Sequence, residues 1–258
     1  MHANNPEKLQ TVVHLLNKKK AEIDSYFHAY IFKPYGIDIK NCLLNQNFSD
    51  AKRLLDFSFT TRQGGQNKSA IENYEEKKDK IFEKLKAALG ALVHDDWEPR
   101  KKYETSLALI NSIEHIGQKI ASMFIKFLVY HSKDFKGKAE LERELFIPFD
   151  SHVARLLFTN FNGKRTDKLD LYKESINQAS LYYDLESTRP ITLKENKLVK
   201  LQRDIRADFD ELKITEPPII LDYLWYVGMM YCSKRFGEIG CKICFLRNEC
   251  TIGKSSRC

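Results

Sequence analysis

Apolar positions along this chain recur three and four residues apart, and stretches that alternate with period two are hard to find, so the pattern predicts an all-α fold. A first helix is predicted over about 7–31, where Val12, Leu15, Leu16, Ile23 and Phe27 form one stripe beside the solvated run Lys18–Lys20. Pro34-Tyr35-Gly36 punctuates the chain. A short apolar helix is read at Asn41–Asn47, and another starts near Asp50 and carries Leu54, Leu55 and Phe57. Gly64-Gly65 marks a loop, and an amphipathic surface helix over about 68–91 puts Ile71, Tyr74, Ile81, Leu85 and Leu89 on one side. Between Ser106 and Phe124 two apolar helical patterns are separated by His115-Ile116-Gly117, with Gly117 expected to supply a positive φ at the turn. A last long pattern runs from Lys194 to Leu212, ahead of the apolar run Leu224–Tyr231.

The chain's 258 residues suffice for one large domain or two smaller ones with real cores. Its 42 Lys and Arg against 35 Asp and Glu give a formal charge of +7, which favours polyanionic partners without naming them. No secretory leader or membrane-spanning run is read, so the expectation is a cytoplasmic or nuclear protein that is not secreted.

Cysteine usage changes the picture. Four of the six cysteines, Cys232, Cys241, Cys244 and Cys250, are spaced C-x8-C-x2-C-x5-C, in a segment with Lys234, Arg235, Lys242 and Arg247. Thiolates so spaced can converge on one centre, and a four-thiolate shell suits either a [4Fe-4S] cluster or zinc. Cys258 is an alternative to Cys232 as the fourth ligand. A reducing compartment keeps such thiols free for ligation.

Taken together and in order, several segments resemble the helix-hairpin-helix DNA glycosylase superfamily, in its endonuclease III branch. Leu43-Leu44-Asn45-Gln46-Asn47 is similar to the family's early leucine-leucine-serine-x-glutamine segment, and Ile113-Glu-His-Ile-Gly-Gln-Lys-Ile-Ala to its hairpin. Ile147-Pro-Phe-Asp-Ser-His-Val-Ala-Arg resembles the segment carrying the family's catalytic aspartate, and Leu224–Cys232 the helix entering its cysteine loop. The resemblance covers roughly residues 40 to 250 as islands; the aspartate segment and the cysteine loop are its specific parts.

It implies two helical domains flanking a DNA-binding cleft: 35–149, with the helix-hairpin-helix at about 105–128, and 1–34 with 150–258, carrying the aspartate and the iron-sulfur loop at 232–250. It implies a monomer acting on double-stranded DNA with a damaged or mismatched base. Lys119 would be the nucleophile that displaces the base and forms a Schiff base, and the neutral amine this needs is favoured by desolvation or nearby positive charge. Asp150, which also reads as a helix N-cap, would stabilise positive charge on the sugar. Gln46 would fill the space of the extruded base, and His115, Gly117, Gln118, His152 and Arg155 would contact DNA. The chain departs from the family pattern where His115 replaces the hairpin's first glycine and Glu114 its proline. The gap from Lys119 to Asp150, through Ser132–Glu144, and the first cysteine gap are longer than usual and read as loop insertions.

Overall fold

The computed structural model describes residues 6–62, 78–114, 116–148, 153, 156, 157, 197–232 and 237–250. Every regular element among them is helical. The chain divides into two compact units. Of the described residues, those from Asp24 to Pro148 belong to one, while those from Pro6 to Ile23 join those from Lys197 to Cys250 in the other.

The first unit is built around α7 (Gln118–Tyr130), whose residues from Ile120 to Tyr130 are all buried. A helix that is apolar all round must be enclosed. It packs against α3 (Ile39–Cys42), α4 (Phe48–Arg62), α6 (Pro99–Asn111) and α8 (Lys138–Glu144), while α5 (Lys78–Leu92) lies along α6. Pro99 opens α6 at a position where its missing N–H leaves no bond unmade. Ser106 Oγ donates to Ala88 O at 2.9 Å and Lys84 Nζ to Ser112 O at 2.7 Å, which ties α5 to α6 and to the connection beyond it.

The expected first helix is interrupted twice. It breaks at Lys19, between α1 (Pro6–Lys18) and α2 (Lys20–Phe27), where the Lys19 N–H is shared between Leu15 O and Leu16 O. A π turn then covers His28–Phe32 and a 3-10 turn Lys33–Tyr35. Winding with five-residue hydrogen bonds brings residues five apart onto nearly one face, which α winding does not. Phe27 and Phe32 use it: their ring centroids lie 5.8 and 5.4 Å from Phe127 and 5.6 and 5.3 Å from His131.

Residues 132–144, expected as a loop insertion, contain α8 instead. Gly137 enters it at φ 81, Leu141 is buried, and the Lys133 N–H bonds Lys40 O at 2.9 Å. Its many charges hide the helix from a periodicity reading, because one buried leucine carries the packing. Beyond α8, Leu145–Pro148 are buried, and the Phe146 N–H donates to Tyr103 Oη at 3.0 Å.

In the second unit α1 meets residues from late in the chain. Gln10 Nε2 donates to Leu212 O at 3.0 Å and Asn17 Nδ2 to Glu216 Oε1 at 2.9 Å. Val12, Val13 and Leu16 of α1 are buried, and α1 packs on the wholly buried 3-10 turn Pro218–Asp222. The pattern expected from Lys194 to Leu212 is α9 (Lys197–Glu211), α10 is Tyr223–Tyr231, and α11 is Gly237–Ile243. The expected loop at Gly64-Gly65 and the first part of the 68–91 helix lie outside the described residues.

Candidate functional site

Lys119 stands on the first turn of α7, immediately after the connection Ser112–Gly117. It is half-buried, while the rest of the helix behind it is enclosed. Its backbone is therefore fixed by the core rather than by a loop, the condition for presenting a side chain reproducibly.

The turn ahead of it differs from expectation. Gly117 has φ −80 and ψ 168, ordinary extended backbone, and serves as the N-cap of α7 without a side-chain cap. A Cβ there would meet nothing within 4 Å. Neither left-handed backbone nor steric crowding demands glycine at this position; the chain reverses through the bond from the Ile116 N–H to Ile113 O at 3.0 Å.

Next to Lys119, Gln118 is 2% exposed, and neither Nε2 nor Oε1 of its amide has a hydrogen-bond partner. Across the connection, Asn111 Oδ1 at the end of α6 is likewise buried and unmet. A buried unmet amide is destabilising by about 1–3 kcal/mol, so unmet groups on both sides of one connection are unusual.

Left-handed backbone occurs instead at Gln46, with φ 45. Its N–H bonds Leu43 O at 3.1 Å, and the Asn47 N–H bonds Cys42 O at 2.9 Å. This paired closure ends a helix and normally places Gly or Asn at the left-handed position. Gly36 and Lys213 occupy the same place at the ends of the Lys33–Tyr35 turn and of α9, with φ 62 and 54. The neighbours of Gln46 hold it there. Asn47 caps α4, its Oδ1 accepting the Asp50 N–H at 3.2 Å and its Nδ2 donating to Asp50 Oδ2 at 3.0 Å. Buried Asp50 also accepts the Asp38 N–H at 3.1 Å and lies 3.4 Å from Arg53 Nη1. Leu44, Asn45 and Gln46 remain exposed. Asn47 sets the start of α4, and Asp50 sits inside the first turn rather than at its beginning.

The predicted site residues Asp150, His115, His152 and Arg155 lie outside the described residues. The buried Val153, Leu156 and Leu157 belong to the apolar run that follows Asp150.

In the cysteine segment, Cys232 caps the end of α10, Cys241 lies in α11, and Cys244 and Cys250 bound a turn closed by bonds from the Arg247 N–H to Cys244 O and from the Cys250 N–H to Leu246 O, both 3.0 Å. Cys232, Cys244 and Cys250 are free thiols. Burial pushes the Cys244 thiol up to about 12, the Leu246 N–H opposes this, and the charges of Cys232 and Cys250 add to it. Cys241 is disulfide-bonded, and ligation through it requires the reduced thiol. Among the described residues no three His, Cys, Asp or Glu side chains are gathered at metal-holding distance. In kind, partly buried thiols on one segment with Tyr231, Phe245 and Leu246, and a backbone N–H aimed at the Cys244 sulfur, are donors of the type that a cluster or zinc takes. Lys242 and Arg247 of this segment are exposed; Lys234 and Arg235 lie outside the described residues.

No helix among the described residues is long and apolar enough to cross a membrane. Comparisons of the chain with known protein families, with characterised proteins and with solved structures yield no match.

Proposed function

We propose that this protein is a helix-hairpin-helix DNA glycosylase that turns a damaged or mispaired base out of duplex DNA, breaks its N-glycosidic bond, and cuts the resulting abasic site by β-elimination. The observation that carries this reading is Lys119: an amine on the first turn of an otherwise enclosed helix, at the position that matches the family's nucleophile. Further support comes from exposed Gln46 on a braced left-handed turn, since a side chain that fills the gap of an extruded base must be held rigidly and project from the surface.

In the reaction, the neutral Lys119 amine attacks C1′ as the C1′–N bond breaks, and the base leaves with a proton. The nitrogen lone pair then opens the sugar ring as O4′ takes up a proton from solvent, which gives the iminium with its N–H retained, and removal of a C2′ proton expels the 3′ phosphate. Asp150, ionised, would stabilise the positive charge that develops on the sugar. A [4Fe-4S] cluster or zinc ion held by Cys232, Cys241, Cys244 and Cys250 would serve the fold of the cysteine segment, with Lys242 and Arg247 meeting phosphates.

A base-release screen on duplexes carrying oxidised pyrimidines, oxidised purines, uracil, thymine mismatches and adenine mispairs tests the proposal. Release of at least one base with strand scission is expected. Release without scission would reassign Lys119 to DNA contact and leave a hydrolytic glycosylase, and binding without any release would leave a non-catalytic DNA-binding protein.

A further inference from the structure

The outer face of the turn that ends in Gln46 is basic as well as strained. Helical bonding continues past α3, the Asn45 N–H reaching Asn41 O at 2.9 Å, so Lys40 and Leu44 fall four residues apart on one face. Lys40 is exposed, and Leu44 keeps 41% of its surface in solvent. The segment between α7 and α8 is brought onto this face by the 2.9 Å bond from the Lys133 N–H to Lys40 O, which sets exposed Lys133 beside Lys40.

The acids nearby are turned elsewhere. Asp38 accepts from Asn41 Nδ2 at 2.6 Å, and Asp134 lies 3.5 Å from Lys138 Nζ, which also meets Ser132 O at 2.7 Å and Glu142 at 3.6 Å. No carboxylate among the described residues pairs with Lys40 or Lys133. The fold thus leaves two exposed cations, adjacent in backbone, without a neutralising carboxylate among the described residues, on a face that also carries exposed Leu44. Cations flanking a small apolar projection complement a nucleic-acid backbone, whose phosphates take the charge while the projection meets sugars or bases.

We propose that Lys40 and Lys133 form a phosphate-holding rail for duplex DNA alongside Gln46, contributed in part by the segment that lengthens the gap between Lys119 and Asp150. The rail reads no base identity. It rests on the DNA-directed reading above.

The test is fluorescence anisotropy of the full chain with a duplex holding a tetrahydrofuran abasic analogue and with the same duplex undamaged, each over a series of salt concentrations. Each phosphate contact contributes about 0.9 to the slope of log affinity against log salt, so Lys40→Gln/Lys133→Gln should flatten the slope by about 1.8 on both duplexes. Lys40→Arg/Lys133→Arg should keep it. The exposed pair Lys18→Gln/Lys86→Gln, with the same loss of net charge, should change it much less. A double-glutamine slope equal to wild type or to that control overturns the rail and leaves the glycosylase reading standing, as does a slope lost in the arginine variant too. Wild type that binds neither duplex overturns both.

Discussion

Around Lys119 the chain is held by apolar packing: α7 is enclosed from Ile120 to Tyr130, and Phe124 and Leu128 have no exposed surface. Around Cys244 there is little of this. Ile239 and Ile243 of α11 are 70% and 68% exposed, and the segment carries several thiols, of which Cys244 is pushed towards its protonated form by burial first and then by the Cys232 and Cys250 charges. The first region keeps its geometry by excluding water, whereas the second has the composition of a segment ordered by crosslinks or a bound centre. Cys42 sharpens the contrast. Its thiol is likewise pushed up to about 12, by burial first and then by the Asp50 and Asp38 carboxylates, yet it donates to Asn47 O at 3.5 Å as a packed side chain and no other thiol acts on it.

If packing carries the first region, Phe124→Ala should lower unfolding free energy by about 3–5 kcal/mol, against about 0.5 kcal/mol or less for Ile243→Ala in α11, both read from urea transitions. Equal losses would erase the distinction. The second effect is on pH. The Cys42 thiol loses its proton near 9 when unfolded and near 12 when folded, so the folded chain is the more protonated between those values. The stability it contributes is complete below pH 9 and drains away as pH rises towards 12. The stability difference between wild type and Cys42→Ala should therefore shrink on going from neutral to strongly alkaline buffer; a constant difference contradicts the assignment. Third, Gln118→Leu should raise stability by about 1–3 kcal/mol by removing an unmet buried amide. A fall instead would mean that a buried water satisfies the amide. Smallest, Gln46→Gly should be stabilising by about 0.5 kcal/mol, because the left-handed position suits glycine. Under the proposed function it also weakens retention of the extruded base, and duplex melting around the lesion would report that.

Much of the helical layout was legible. The apolar repeats at 106–124 and 194–212 correspond to real helices because helical periodicity survives whenever one face is buried. The breaks were not. Nothing in Lys18-Lys19-Lys20 marks the end of α1, and the π turn at His28–Phe32 arises from two phenylalanines sharing partners on α7, a tertiary cause. The turn chemistry also misled. Gly117 suggested left-handed backbone and has none, while Gln46, a residue that does not advertise turns, carries it because Asn47 and Asp50 fix the start of the next helix. Gln118 reads as a polar residue at a helix start, and its burial depends on neighbours that a single sequence does not reveal.

Borohydride trapping reports most directly on whether the Lys119 amine is the nucleophile. Wild-type protein incubated with duplex DNA containing an abasic site and reduced with borohydride should form a covalent adduct, and Lys119→Gln should form none while still binding the duplex. An adduct that persists in Lys119→Gln, or its absence from wild type, contradicts the assignment.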